Sequence, residues 1–182
     1  MTRLTHSQKV LGKGFDTLKS KNILIVGAGG TGCNVANLIA RMGIPLTIID
    51  HDIVDDTNLE RQLLFDKSDL LEPKVDVVKK KLEQFSKITS INDELTEKNI
   101  DGYILVNKFD LIIDCTDNMH TRLLINKYCR KNKINWIYTG AVSNIGTIYF
   151  VDSSSNNYPC FECINSNKDG ETSCEIGVLN TI

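Results

Sequence analysis

The sequence predicts a doubly wound α/β fold, Rossmann-like, in which helices cover both faces of a mostly parallel sheet. Short apolar runs alternate along the chain with segments whose apolar residues recur at helical spacing. Parallel neighbours need crossover connections of about the length that such helices provide. The 182 residues, of which 41% are hydrophobic, suit one domain spanning 1–182.

The first predicted unit is a strand, a tight turn and a helix. The apolar run Ile23–Val26 is followed by four glycines within six positions. Apolar residues then recur at helical spacing over 35–42, which predicts the helix. Residues 1–20, which precede this unit, are predicted to form an N-terminal helical arm.

The second unit is another strand with a helix downstream. The strand covers 46–49 and ends at Asp50. Apolar residues at helical spacing over 75–82 predict the helix, which Pro73 can open because proline is tolerated in a first helical turn.

The later elements continue the alternation until the C-terminal region. A strand at Leu111–Asp114 precedes a helix over 118–131, and two more strands cover 135–139 and Ile145–Val151. Residues 152–182 begin with a polar loop and are predicted to form a cysteine-bearing tail without a further strand and helix pair.

Charge and hydropathy exclude several classes of protein. A formal net charge of -2 argues against a general nucleic-acid binder, and the basic run at 79–81 fits a solvated helix face. No apolar run approaches the roughly 18 to 20 residues of a membrane span, and the N-terminus is too polar for a signal peptide. We therefore expect a cytoplasmic protein without a membrane or nucleic-acid partner.

The turn after the first strand has the glycine spacing of a phosphate-binding loop. Without Cβ atoms in the way, backbone amides at a helix N-terminus can approach phosphate, and the helix dipole favours the anion. Asp50 lies eighteen residues beyond the last glycine, where a carboxylate can bind ribose hydroxyls. The sequence predicts a nucleotide site whose turn contains Gly27, Gly29, Gly30 and Gly32.

Residues beyond the second strand favour ATP over a dinucleotide. A triphosphate undergoing substitution needs cations and a metal ion to neutralise charge that moves to the leaving pyrophosphate. Arg61 offers a planar fork for phosphate oxygens, and Lys74 offers a point charge. Asp117 follows the strand Leu111–Asp114 and is the best candidate to organise Mg²⁺. The candidate ATP-binding residues also include Asp52, Asn58, Gln62 and Asn118.

Five short motifs, in order along nearly the whole chain, resemble the ThiF/MoeB/HesA family of bacterial relatives of ubiquitin-activating enzymes. The resemblance implies that Asp117 is the residue most critical for catalysis. It also implies that ATP and Mg²⁺ are bound by Gly30, Asp50, Asp52, Asn58, Arg61, Lys74 and Asp117. The motifs are Asp50-His51-Asp52-Ile53-Val54, Asn58-Leu59-Glu60-Arg61-Gln62, Pro73-Lys74, Cys115-Thr116-Asp117-Asn118 and Pro159-Cys160-Phe161-Glu162-Cys163.

The resemblance further implies an activity and an assembly. Members adenylylate the C-terminal Gly-Gly carboxylate of a small ubiquitin-like sulfur-carrier protein, in thiamine, molybdopterin or related pathways. The family also has an arginine near its N-terminus that reaches into the neighbouring subunit's active site. Counting back from the glycine turn without gaps places it at Arg3, where Leu4 replaces the usual following glutamine. We therefore expect a homodimer.

The six cysteines fall into two groups. Cys33, Cys115 and Cys129 lie in apolar segments and are predicted to be small buried hydrophobes. Cys160 and Cys163 form Cys-x-x-Cys, which is half of a tetrahedral zinc site. In the family, the second pair of cysteine ligands lies downstream of the position of Ile182. Either this sequence is truncated, or this member has lost the zinc site.

Cys174 has two possible roles by the same resemblance. Thiazole-pathway members carry at this position the cysteine that joins their sulfur carrier, and a thiolate there could receive the activated acyl group. Molybdopterin-pathway members hold a similar cysteine that adenylylation does not need. Both roles remain open from the sequence.

Other functions compete with the adenylylation of a carrier. A family member that adenylylates a short peptide or cyclises a modified tRNA base would keep the ATP residues. An NAD-dependent dehydrogenase would show a catalytic histidine or lysine pattern, which is not seen. An inactive subunit would be expected to lack Arg61, Lys74 or Asp117, and all three are present.

Overall fold

The computed structural model describes residues 3–155 and 158–165, which contain a six-stranded sheet flanked by helices. Two short 3-10 helices cover Asp56–Asn58 and Lys67–Asp69. The strands are β1 (Ile23–Val26), β2 (Leu46–Asp50), β3 (Ile88–Asn92), β4 (Leu111–Asp114), β5 (Asn135–Val142) and β6 (Ile145–Val151). The α-helices are α1 (Thr5–Leu11), α2 (Lys13–Lys19), α3 (Gly30–Arg41), α4 (Lys74–Leu82), α5 (Ile100–Asn107), α6 (Met119–Asn132) and α7 (Phe161–Asn165).

The sheet has the order β3-β2-β1-β4-β5-β6, which confirms the predicted doubly wound fold. The five strands β1 to β5 run parallel, and β6 pairs antiparallel with β5 after a two-residue turn at 143–144. The chain leaves β1 in one direction to build β2 and returns to its other side to build β4. Ligands of such sheets bind in the crevice at the carboxyl ends of the strands where this reversal occurs.

Both faces of the sheet are covered by apolar side chains. On one face Ile25 packs with Ala36 of α3 and Val78 of α4, and on the other Leu24 packs with residues of α5 and α6. All four residues of β1 are buried, as expected for a central parallel strand. This packing holds the first residues of α3, α4 and α6 beside the carboxyl edge of the sheet.

Four elements differ from the sequence prediction. Strand β3 and helix α5 were not predicted; in β3, polar residues at 89, 90 and 92 interrupt any apolar run. Strand β5 continues to Val142, three residues beyond the predicted end. Beyond residue 151, the short helix α7 begins directly after Cys160 and contains Cys163, the second cysteine of the Cys-x-x-Cys motif.

The cysteines in apolar segments behave as predicted. Cys33, Cys115 and Cys129 are buried. Burial raises the pKa of the Cys33 and Cys115 thiols to about 12, so they are inert at neutral pH. No helix within 3–155 and 158–165 is long and apolar enough to cross a membrane.

Candidate nucleotide-binding site

A cavity of about 480 Å³ lies at the carboxyl ends of β1, β2, β4 and β5. Eleven of the twelve residues predicted to bind nucleotide line it. The twelfth, Gly32, is buried in the first turn of α3 beneath the glycine turn. Two sides of the cavity differ in construction. The glycine wall comprises the turn 27–32 with Asp50, Asp52 and Lys74, and the β4 wall comprises the segment 114–118 with Arg122 and Thr139. Within these segments Ala28, Gly32 and Asp114 are buried and do not line the cavity.

The glycine wall is shaped by close backbone contacts. Gly27 has φ +98°, and a Cβ added there would lie 2.7 Å from the carbonyl oxygen of Cys115. A Cβ on Gly32 would lie 2.0 Å from the carbonyl oxygen of Gly27. Only glycine fits at these two positions. The N-terminus of α3, capped by Gly29, therefore opens into the cavity and can present amide groups to an anion.

Asp50 braces the turn in addition to facing the cavity. One carboxylate oxygen accepts a hydrogen bond from the Ala28 amide at 2.6 Å, and the other accepts one from the Asp52 amide at 2.7 Å. Each oxygen keeps a second lone pair that can accept from a ribose hydroxyl. The sequence predicted the ribose contact but not this brace between β1 and β2.

The two predicted cations sit close to the glycine turn. Lys74 is 5% exposed, and its Nζ lies 2.8 Å from Oδ2 of Asp52. Arg61 donates from Nη1 to the Thr57 carbonyl at 2.8 Å and contacts Glu60 at 3.4 Å. Since Asp52 is half-exposed, its carboxylate can rehydrate if Lys74 turns to a phosphate. The arrangement supplies two positive charges to one end of the cavity.

Asn58 and Gln62 support the loop that carries Arg61. The Asn58 Oδ1 accepts from the Asp55 amide at 3.2 Å and so closes the 3-10 turn. Gln62 is buried, and its Oε1 has no hydrogen-bond partner among the residues that the structure describes. Both side chains line the cavity.

The β4 wall carries Asp117 and Asn118 on its rim. Both are exposed and line the cavity. The Asn118 side chain accepts from the Thr121 amide at 2.8 Å and thereby caps α6. Asp117 lies directly before this cap, so its position depends on the turn between β4 and α6.

Behind that rim lie two residues that sequence reasoning missed. Asp114 is fully buried, and its Oδ1 accepts from the Thr116 amide and hydroxyl at 3.0 and 2.6 Å. Arg122 Nε lies 3.8 Å from Asp114 Oδ2. Burial raises the pKa of the Asp114 carboxyl to about 6, although the Thr116 hydrogen bonds and the Arg122 charge oppose the rise. Asp114 ends a predicted strand, but no local pattern marks Arg122 as its partner.

The far side of the cavity is formed by residues after β3. Asp93, Glu94 and Leu95 line it, and Asp93 Oδ2 accepts from the Tyr103 hydroxyl at 2.5 Å. That hydrogen bond and one from the Glu94 amide lower the pKa of Asp93. This side was missed because β3 itself was not predicted. An apolar Leu95 beside hydrogen-bonding groups suits a nucleobase.

Potential ligands for Mg²⁺ occur at two places around the cavity. Asp50, His51 and Asp52 offer ligand atoms within 4.8 Å of one another. Their carboxylates already bond backbone amides and Lys74, which makes them poor ligands for a divalent ion. The exposed Asp117 carboxylate faces the same cavity and fits the oxygen-ligand chemistry of Mg²⁺.

Arg3 does not lie in the cavity of its own chain. Its Nη2 donates to the Phe85 carbonyl at 2.8 Å, and its guanidinium lies 5.2 Å from the Phe85 ring centroid. Phe85 follows the C-terminus of α4, whereas the cavity lies at the N-terminus of that helix. Arg3 is therefore at the opposite edge of the sheet.

The remaining predicted site residues are the C-terminal cysteines. The Sγ atoms of Cys160 and Cys163 lie 3.3 Å apart, close enough to ligate one ion. Burial would raise the pKa of the Cys160 thiol, but hydrogen bonds from Cys163 and Asn126 outweigh it, so the pKa is lowered. Cys174 lies outside the described residues.

Comparison with known proteins shows a family. The ThiF family model matches residues 2–182. The molybdopterin-synthase adenylyltransferase of Escherichia coli K12 is 30% identical over 97% of this chain and 74% of that protein. The sulfur carrier protein ThiS adenylyltransferase of Bacillus subtilis 168 is 30% identical over 83% of this chain and 46% of that protein.

Among solved structures, a similar fold occurs in the E. coli tRNA N6-threonylcarbamoyladenosine dehydratase in complex with ATP. It superposes with a TM-score of 0.74 at 29% identity, covering 79% of this chain and 61% of that chain. This chain thus spans between about half and three quarters of the length of these three proteins.

Proposed function

The chain belongs to the ThiF family, and we propose that it binds ATP with Mg²⁺ in the cavity and transfers AMP to a protein carboxylate. One observation carries the proposal. The glycine turn, the cations Arg61 and Lys74, and the rim carboxylate Asp117 converge on a single cavity at the switch point of the sheet. A dinucleotide would not need the last three groups.

The cavity suggests how ATP lies. The adenine occupies the side near Leu95, and the ribose hydroxyls bond Asp50. The phosphates then lie over the N-terminus of α3, within reach of Arg61 and Lys74. Asp117 would hold Mg²⁺ beside the phosphates, where the ion would neutralise charge on the pyrophosphate.

The chemistry needs positioning more than proton transfer. An ionised carboxylate oxygen attacks the α-phosphorus in line and forms a new P–O bond, while the bond to pyrophosphate breaks and pyrophosphate leaves with the electron pair. A carboxylate is already ionised at neutral pH, so no general base is needed. Arg61 and Lys74 stabilise the charge that builds up on the phosphates.

We further propose that the carboxylate is the C-terminal Gly-Gly end of a small ubiquitin-like sulfur carrier. Two relatives support this choice, because one is named for molybdopterin synthase and the other for the carrier ThiS. Residues 139–142 of β5 also line the cavity, and the flexible glycine tail would enter beside them. The thiamine and molybdopterin pathways are both consistent with these relatives.

Exchange of labelled pyrophosphate into ATP tests the proposal. Exchange should require Mg²⁺ and a carrier that ends in Gly-Gly, and a carrier lacking its last glycine pair should not support it. Calorimetry should show ATP bound more tightly than NAD. Equal affinity for NAD, or no carrier of either pathway supporting exchange, would count against the proposal.

A second candidate is ATP-dependent modification of a tRNA base. The solved neighbour at 29% identity is named a tRNA dehydratase and was seen with ATP, so a similar nucleotide site serves that enzyme. The net charge of -2 makes this candidate the weaker one. ATP turnover stimulated by tRNA and not by carrier would favour it.

The remaining family expectations are also proposals for this chain. We propose, as the family resemblance implies, a homodimer in which Arg3 of one subunit reaches the neighbouring cavity. In its own chain Arg3 contacts Phe85, away from the cavity. Cys160 and Cys163 would supply two zinc ligands in a longer chain. Cys174 would accept the activated acyl group only after the adenylate has formed.

A further inference from the structure

Arg122 is a buried residue of the β4 wall and contacts the turn that carries Asp117. We propose that Arg122 is a positioning residue, which holds the peptide group between Thr116 and Asp117 so that the Asp117 carboxylate points at the Mg²⁺ site. The inference rests on the proposed role of Asp117. It adds a residue that neither the glycine pattern nor the cationic set identifies.

The evidence lies in how the Thr116 backbone is held. Arg122 Nη2 donates to the Thr116 carbonyl at 2.6 Å, and Asp114 Oδ1 accepts from the Thr116 amide at 3.0 Å. The Thr116 carbonyl and the Asp117 nitrogen belong to one planar peptide group. Fixing the carbonyl direction therefore fixes the direction in which the chain enters Asp117.

Arg122 is itself held on several sides. It lies in the first turns of α6, which begins at the Asn118 cap, and it is 5% exposed. Its guanidinium lies 5.1 Å from the Tyr138 ring centroid and its Nε is 3.8 Å from Asp114 Oδ2. A planar guanidinium can stack on a ring, face a carboxylate and donate to a carbonyl at once, whereas an ammonium group cannot.

This geometry predicts a specific defect. If the hydrogen bond from Arg122 to the Thr116 carbonyl is lost, Asp117 is still present but its carboxylate no longer points at the Mg²⁺ site. Binding that depends on Mg²⁺ should then fall, while Mg²⁺-free ATP binding should persist, because the glycine wall is untouched. A residue that merely stabilises the fold would not separate these two affinities.

The test compares Arg122→Lys with Arg41→Lys. Lysine keeps a positive charge near Asp114, so the buried carboxylate is not left alone. Arg41 is a matched control because its guanidinium also lies over a ring, 4.3 Å from the Phe85 centroid, at the far edge of the sheet. If Arg122→Lys folds poorly, Arg122→Gln combined with Asp114→Asn removes both buried charges together and serves the same purpose.

Two measurements are made on each full chain. Amide hydrogen exchange over 115–118 should become at least tenfold faster in the Arg122 variant and stay at the parent rate in Arg41→Lys. Calorimetric ATP affinity in EDTA should stay within twofold of the parent, while the gain on adding Mg²⁺ should shrink at least tenfold. Adding Arg122→Lys to Asp117→Asn should cause no further loss of that gain, because Arg122 acts through Asp117.

Two results would overturn the inference. The first is parent-like exchange over 115–118, and the second is an equal loss of ATP affinity with and without Mg²⁺. A parent chain without any Mg²⁺-dependent gain would reject the proposed function instead. The exchange data would still decide in that case whether Arg122 holds the turn.

Discussion

The glycine wall and the β4 wall face the same nucleotide cavity but are built by different physical means. In the glycine wall, close backbone contacts of Gly32 with Gly27 and of Gly27 with Cys115 leave no room for a side chain. The β4 wall is assembled from β4, α6 and β5 by a buried ion pair and hydrogen bonds. Substitutions in the glycine wall should prevent nucleotide binding, whereas substitutions in the β4 wall should misalign side chains that act on the bound nucleotide.

Gly32→Ala should have the largest effect on the glycine wall. The new Cβ would lie 2.0 Å from the Gly27 carbonyl oxygen, which is backbone and cannot rotate away. We expect ATP binding to fall below detection and the free energy of unfolding to fall by about 3 kcal/mol, the upper end for overpacking. Calorimetry with ATP and urea denaturation measure the two effects.

The matched control for that substitution is Gly102→Ala in α5. A Cβ there has no atom within 4 Å, and alanine favours a helix over glycine by about 1 kcal/mol. This variant should therefore be as stable as the parent or slightly more stable. If Gly32→Ala bound ATP normally, the steric account of the glycine wall would be wrong.

Asp117→Asn should have the next largest effect, and it tests the rim of the β4 wall. Loss of a group that stabilises charge in a transition state commonly lowers rate a hundredfold to a thousandfold. Pyrophosphate exchange should fall by that factor, with thermal unfolding unchanged because Asp117 is exposed. Asp16→Asn, an exposed substitution in α2, should exchange at the parent rate. Comparable pyrophosphate-exchange rates for the two variants would show that Asp117 is not part of the catalytic centre.

Lys74→Met should have a smaller effect, confined to phosphate binding at the glycine wall. Hydrogen bonds to charged groups contribute roughly 1.5 to 3 kcal/mol, so ATP affinity should fall about tenfold to a hundredfold. The control is Lys80→Met on the same helix, where the lysine is exposed and 3.8 Å from Glu72. A parent-like ATP affinity for Lys74→Met would show that Lys74 serves only to neutralise Asp52.

Thr139→Val should have the smallest functional effect and tests the packing behind the β4 wall. The Thr139 hydroxyl donates to the Asp114 carbonyl at 2.6 Å, and valine leaves that buried carbonyl without this donor. We expect a loss of about 1 to 3 kcal/mol in the free energy of unfolding, with exchange reduced less than tenfold. Thr17→Val, at an exposed position, should change stability by no more than about 0.5 kcal/mol. A loss of pyrophosphate exchange of tenfold or more would instead indicate that Thr139 contributes directly to catalysis.

The parts of the site that could be predicted are those encoded by neighbouring residues. Glycine spacing, a strand before it and Asp50 after it specify a phosphate turn, because each requirement is local. Arg61, Lys74 and Asp117 were placed on one rim because parallel strands end at the same edge of a sheet. Strand β3 escaped prediction because its exposed residues blur the apolar pattern.

By itself, the sequence determined most of the strands and helices, the doubly wound class and the position of the glycine turn, because periodicity and glycine sterics act over a few residues. Only the tertiary structure decided that Asp50 braces the turn, that Arg122 meets Asp114 and Thr116, and that Arg3 lies at the opposite edge. Those contacts join residues from separate elements. Which residues meet depends on which faces of the helices and strands pack together, and residue spacing along the chain does not predict that packing.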